Sequence, residues 1–109
     1  MMKNSVNVLL VCGYGVGSSA MLETVTAKAL KERNIEANLD HTSAGELGGY
    51  VNWADIIAVN KKLMDMVDVD DLKNKNKHVI EVINMMDGQD IGNKIQDIVE
   101  TSYKNAIKE

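Results

Sequence analysis

From Val6 to Val11 the apolar positions run almost without a break. A strand covered on both faces, as in a parallel sheet, reads this way. From Ser18 or Ser19 the spacing changes. Met21, Leu22, Val25, Ala29 and Leu30 recur three and four apart, while Glu23, Lys28, Lys31 and Glu32 fill the other side, which predicts an amphipathic helix. Asn34 tolerates left-handed geometry and is the expected stop. Ile35 to Asp40 alternates and predicts a second strand with one wetter face. Ser43 and Glu46 have the spacing of a capping box for a short helix from Ala44 to about Val51, weakened by Gly45, Gly48 and Gly49. Asp55 to Val59 is a third buried-type strand, and Asn60-Lys61-Lys62 turns out of it. Leu63 to about Leu72 is a weak helix or loop interrupted by aspartates. His78 to Ile83 is a fourth strand and Asn84 to Gly88 a loop. From about Gln89 a last helix carries Ile91, Ile95, Ile98, Val99, Ser102 and Ala106 on one side.

Strand and helix thus alternate four times. The expected fold is α/β: a small four-stranded parallel sheet, order 2-1-3-4, with helices on both faces. Ligands of such sheets lie beyond the carboxyl ends of the strands. That rule gathers Cys12, His41, Asn60 and the Asn84–Asp87 loop at one edge.

Composition narrows the chemistry. With 109 residues, 45% of them hydrophobic and 26% charged, one globular domain spanning 1–109 is expected. No apolar run approaches the roughly 20 residues that span a bilayer, and the amino terminus has no signal-peptide pattern. The single cysteine excludes an internal disulfide and fits a reduced, cytoplasmic setting. A net charge of −4 with no long basic block argues against a nucleic-acid partner. One cysteine and two separated histidines make no metal ligand set, and no cofactor is expected. The seven methionines read as core filler, with a Met-lined docking surface as the lesser alternative.

The first strand drives into Cys12-Gly13-Tyr14-Gly15-Val16-Gly17-Ser18-Ser19. A strand, a glycine-rich turn and a helix start build an anion site from backbone N–H groups and the helix dipole. Thiol pKa values fall to about 3.5–7.5 in such places, so Cys12 is expected to be partly or wholly thiolate at neutral pH. Three readings compete. A dinucleotide fingerprint would need glycine where Ser18 stands, although Asp40 lies roughly where a ribose-binding acid belongs. A nucleotide-triphosphate loop would need a lysine, which the turn lacks. A cysteine phosphate loop of the phosphatase kind, C-x5-R, would put arginine at Ser18. The only arginine, Arg33, lies at the far end of the helix, roughly 20 Å away at about 1.5 Å per residue. Without that bidentate clamp, the loop suits a carrier of phosphoryl groups better than a hydrolase.

The segment Cys12 to Ser19 resembles the phosphorylation loop of the IIB components of the bacterial sugar phosphotransferase system, and the resemblance covers nearly the whole chain. Asp55-Ile56-Ile57, and Asn84-Met85 followed by Asp90-Ile91-Gly92, resemble the ascorbate-type proteins within the wider lactose, cellobiose, galactitol and mannitol IIB group. Ser18-Ser19-Ala20-Met21 is also close to mannitol-type domains. The Lys61-Lys62 turn and the Met85-Met86-Asp87 loop depart from these patterns. The resemblance implies that Cys12 accepts a phosphoryl group from a phosphohistidine of a IIA protein. It then passes the group to a carbohydrate, ascorbate-type or a sugar alcohol, held by a membrane IIC protein. The phosphate would be held by Gly13, Tyr14, Gly15, Val16, Gly17, Ser18 and Ser19. Other polar residues have plainer readings. His41 and His78 are expected to be structural, Lys73, Lys75 and Lys77 a solvated turn, Trp53 a pin between the short helix and the sheet, and Asp87 the cap of the last helix.

Overall fold

The computed structural model describes residues 4–11, 16–84 and 86–107, with the backbone alone at residues 16–20 and Ala44. Four strands, β1 (Val6–Val11), β2 (Ala37–Thr42), β3 (Ile56–Asn60) and β4 (His78–Val82), form one sheet in the order β2-β1-β3-β4. All three pairings are parallel. The expected fold and strand order hold.

The central position of β1 explains its composition. Val6, Val8 and Leu10 enter one core with Leu22 and Leu30 of helix α1 (Val16–Glu32) and Ile91, Ile95 and Val99 of helix α3 (Gly88–Ser102). Leu9 and Val11 point the other way, into a second core with Leu47, Val51, Leu63, Val67 and Leu72. Side chains of a strand alternate between faces, so a strand with helices on both sides has no polar face to offer.

Several boundaries move for identifiable reasons. Helix α1 begins at Val16, not at Ser18 or Ser19, and ends before Asn34, which takes the left-handed conformation at φ 58°. Ile35 is not in β2. It forms an isolated antiparallel bridge to Ile107, and the Glu36 N–H donates to the Ala106 carbonyl. The chain is thus tied to its own carboxyl-terminal segment before the strand starts at Ala37. The Ser43–Glu46 box does not form: Ser43 makes no side-chain cap, and Ala44–Gly49 is a 3-10 turn. The segment after β3 splits into a 3-10 turn, Lys61–Met66, and helix α2, Val69–Asn74. Asp68, read as a helix breaker, caps α2 by accepting the Asp71 N–H at 3.0 Å. Helix α3 stops at Ser102, and Ala106 is buried in a following 3-10 turn.

Helices α1 and α3 pack closely because α3 presents glycine. A Cβ at Gly92 would lie 2.7 Å from the Arg33 guanidinium carbon and 3.0 Å from the Ala29 Cβ. Arg33 bridges the two helices through neutral acceptors: the Ala29 carbonyl at 2.9 Å, Asn93 Oδ1 at 2.8 Å and Gln89 Oε1 at 3.0 Å.

Candidate functional site

In an all-parallel sheet the carboxyl ends of the strands share one edge. Register fixes the neighbours there: Val11 lies beside Thr42 on one side and Val59 on the other, and Asn60 lies beside Val82. The residue after Val11 is Cys12, and helix α1 starts at Val16. Buried β1 therefore delivers the cysteine segment to the amino end of a 17-residue helix whose first turn contains no acid. That end carries the positive pole of the helix dipole and its unpaired N–H groups. An anion there meets no competing carboxylate from the helix's first turn.

Cys12, Gly13, Tyr14 and Gly15 lie outside the described residues. Val16, Gly17, Ser18 and Ser19 form the first turn of α1 as backbone, so part of the segment expected to be loop is helix. The rest of the edge is better defined. His41 falls inside β2, opposite Leu10, with its Nδ1 2.7 Å from Glu23 Oε2 on α1. Asn60 and Asn84 serve their own turns. Asn60 Oδ1 accepts the Lys62 N–H at 3.0 Å, and Asn84 Oδ1 accepts the Met86 N–H at 2.9 Å. Asp87 caps α3 as expected, accepting the Asp90 N–H at 3.1 Å. Lys61 and Lys62 open the 3-10 turn after β3, both exposed. Met85 lies outside the described residues.

The structure corrects two sequence readings here. Met21, Met66 and Met86 are 50%, 57% and 58% exposed, and of the methionines with described side chains only Met64 packs against a core. Met21 and Met86 line a shallow groove with Thr24 and Val25, beside the start of α1. These methionines are surface, not core filler: neither core cluster includes them. Trp53 is 36% exposed and belongs to neither core cluster; its backbone carbonyl accepts the Asn7 Nδ2–H at 2.8 Å. His78 is structural, its ring edge-on to Tyr103 with centroids 5.6 Å apart.

Sequence reasoning missed Thr42. It is 7% exposed, at the last position of β2 beside Val11, and its hydroxyl has no hydrogen-bond partner. Among the described residues only Thr26 shares this state. Nothing in the letters around Thr42 marks it. The signal is its register against β1, visible once β2 is known to run two residues further than its alternation suggests.

Arg33 is at the opposite end of α1 from this edge, engaged with Gln89 and Asn93. Among the described residues no helix is long and apolar enough to cross a membrane.

Comparison with known proteins agrees with this arrangement. Residues 7–97 match the family model described as "PTS system, Lactose/Cellobiose specific IIB subunit". A curated relative from Shigella boydii, "Ascorbate-specific PTS system EIIB component", is 28% identical over 104 residues, covering 95% of this chain and 99% of the relative. The cellobiose-specific phosphotransferase IIB component of Borrelia burgdorferi superposes with a TM-score of 0.56 at 27% identity, over 96% of this chain and 97% of that one. The lactose-specific IIB domain from Streptococcus pneumoniae has a TM-score of 0.64 at 14% identity, covering 91% and 98%, and shares the fold.

Proposed function

The chain belongs to the lactose/cellobiose-specific IIB family of the sugar phosphotransferase system, a family of phosphotransferases, and from that premise we propose that Cys12 is the residue that carries the phosphoryl group. The supporting observation is that buried β1 ends at Val11, the residue before Cys12 in sequence, and that α1 begins at Val16, four residues after it. A thiolate is favoured at such an end. Its sulfur attacks the phosphorus of a phosphohistidine on a IIA protein. The S–P bond forms, the P–N bond breaks, and the departing imidazole nitrogen keeps the electron pair. A carbohydrate hydroxyl then attacks the same phosphorus, the S–P bond breaks, and the thiolate is regenerated as the hydroxyl proton leaves to solvent or a base. In both steps the protein's task is positioning and charge stabilisation. The N–H groups of Gly13, Tyr14, Gly15, Val16, Gly17, Ser18 and Ser19, with the two serine hydroxyls, are the proposed donors.

The names of the curated relatives favour ascorbate or a related polyol as the final acceptor, held by a membrane IIC protein. The chain would then act as one cytoplasmic unit between IIA and IIC. A hydrolase reading has no comparable support, since Arg33, the one candidate clamp, is spent on the α1–α3 contact. The decisive experiment is Cys12→Ser. Serine keeps the shape but loses the nucleophile, because its hydroxyl stays protonated without a base. Transfer of label from radiolabelled phospho-IIA of an ascorbate phosphotransferase system should vanish, with the thermal midpoint unchanged. Acid-labile label persisting on the variant would overturn the assignment and move the phosphosite to a histidine, with His41 first to test.

A further inference from the structure

β4 is an outer strand of the sheet, with β3 on one side only. The His78 N–H donates to the Asp55 carbonyl at the start of β3. The N–H and C=O of one strand residue point to the same side, and the side alternates along the strand. His78, Ile80 and Val82 therefore turn their backbone groups to β3, while Val79 and Glu81 turn theirs outward. The Glu81 carbonyl agrees with that direction, since it accepts Lys94 Nζ–H from α3 at 2.8 Å. Among the described residues nothing pairs the outward N–H and C=O of Val79 or the outward N–H of Glu81. Two hollows adjoin this open edge. One, of about 500 Å³, is lined by Lys73, Asn76 and Lys77, by His78 and Val79, and by Ile98 of α3. It straddles the strand, because α2 and α3 pack into opposite cores. The other, of about 350 Å³, shares His78 and Ile98 and runs along α3 past Lys94. Among the described lining residues three lysines stand against one carboxylate, Asp97, on a chain of net charge −4. The ammonium groups of Lys73 and Lys77 have no partner among the described residues.

We infer that the open edge of β4 docks an extended, acidic segment of a partner protein, added to the sheet as a fifth strand. The backbone of the segment pairs with the outward groups of Val79 and Glu81. Its carboxylates meet Lys73, Lys77 and Lys94, and the apolar side chains between them lie on Val79 and Ile98. Main-chain bonds supply affinity in this mode, and alternate side chains supply specificity. Lys94 selects the occupant. Asp90 holds it at the edge, Nζ to Oδ2 3.0 Å. A lysine on an edge strand opposes chance pairing, because pairing takes its ammonium out of water. A segment with a carboxylate opposite compensates that charge, and a neutral segment does not. A second copy of this chain would bring its own Lys73, Lys77 and Lys94 to the same seam, like charge against like. The hollows take in His78 to Ile80, the first half of β4. Docking there leaves the carboxyl edge of the sheet uncovered, so it is independent of how Cys12 reacts.

The probe is a fluorescein-labelled octapeptide of alternating Glu and Val, titrated into the full chain and followed by anisotropy. It should bind with a Kd of about 0.1–1 mM at low salt and several-fold more weakly at high salt, where the charges are screened. Hydrogen exchange read by NMR should show the Val79 and Glu81 amides protected when the peptide is bound. A neutral Thr–Val octapeptide should bind roughly tenfold more weakly than the acidic one, and Lys94→Gln should narrow that gap. Lys73→Gln combined with Lys77→Gln should weaken the acidic peptide roughly tenfold with little change in thermal midpoint. Salt dependence and the neutral peptide decide the matter on wild type alone, whatever the variants do to folding. Docking at this edge is overturned by no saturable binding in that range, by equal binding of the two peptides, or by binding that leaves the Val79 and Glu81 amides unprotected. It is also overturned if the chain without peptide forms a dimer in which those two amides are protected, which would make the edge a seam between copies.

Discussion

At the amino ends of the strands, Asn7 sits in a closed set of polar bonds. Its N–H donates to Asp55 Oδ2 at 2.8 Å, its carbonyl accepts the Asp55 N–H at 2.8 Å, its Nδ2 reaches the Trp53 carbonyl, and its Oδ1 accepts from Asn38. At the carboxyl ends, 93%-buried Thr42 has no partner, and Ile83, Met86 and Met21 are 62%, 58% and 50% exposed. Both ends belong to the same parallel sheet, so the difference is not one of architecture. One end completes its hydrogen bonds internally and holds the strands in register. The other leaves one hydroxyl unpaired and several large apolar side chains exposed among the described residues. Parallel α/β sheets place ligands at the carboxyl edge, and here the contrast appears residue by residue.

The strongest way to break the comparison is Asp55→Ala. It strands the Asn7 N–H, at a cost of about 1–3 kcal/mol for a buried or half-buried donor, or roughly 4–12 °C in thermal midpoint for a domain of this size. Phosphoryl acceptance per folded molecule should stay within about twofold of wild type, as the change lies at the opposite edge. Calorimetry and the label-transfer assay decide. A large fall in transfer with little change in midpoint would show that the amino end is not merely structural.

The same end carries a pH signature. Burial, and then the Asp55 carboxylate, raise the Tyr103 phenol above its usual 10.0. The folded protein therefore holds the proton longer than the unfolded chain does. Whatever Tyr103 contributes is fully present below about pH 10 and is lost as pH climbs from there through the raised value. Tyr103→Phe should flatten that alkaline loss, and Asp55→Ala should bring the Tyr103 titration part of the way down, burial remaining. Ultraviolet titration of tyrosinate, with Tyr103→Phe subtracted, reads both. An unchanged Tyr103 midpoint in Asp55→Ala would separate Asp55 from the phenol.

How far each end was legible in sequence follows the same division. The buried strands were readable because a sheet covered on both faces admits little but Val, Ile, Leu and Ala, as Val8–Val11 and Ile56–Val59 show. Strand order followed from strand–helix alternation together with the apolar first strand, which belongs at the centre. Boundaries set by long-range partners were not readable: β2 starts late because Ile35 and Glu36 are taken by Ile107 and Ala106, seventy residues on. The Ser43–Glu46 spacing misled because three glycines in the next six residues favour a 3-10 turn over an α-helix. The glycine-rich segment raised the candidate site from the letters alone, since the chemistry it suggests is local. The burial of Thr42 was not readable, since it comes from the strand beside it. The methionines misled because composition counts a residue without saying which face of a helix it is on.

The smallest expected effect sharpens the comparison most finely. His41 and Glu23 form the one side-chain ion-pair geometry described between β2 and α1 at the carboxyl edge, Nδ1 to Oε2 2.7 Å, with side chains 40% and 37% exposed. It looks like an exception to the rule that this end is left incomplete. Exposure argues otherwise. An ion pair in contact with water trades hydration for a screened attraction and gives up side-chain freedom, leaving about 0.2–1 kcal/mol at most. A double-mutant cycle of Glu23→Ala, His41→Ala and the pair, followed by denaturant unfolding, should return a coupling in that range, well below the loss from Asp55→Ala alone. The pair would then orient the His41 ring at the rim without holding the sheet together. A coupling above about 2 kcal/mol would place a true structural clasp at the carboxyl edge, and the division of labour between the two ends would have to be abandoned for this pair of elements.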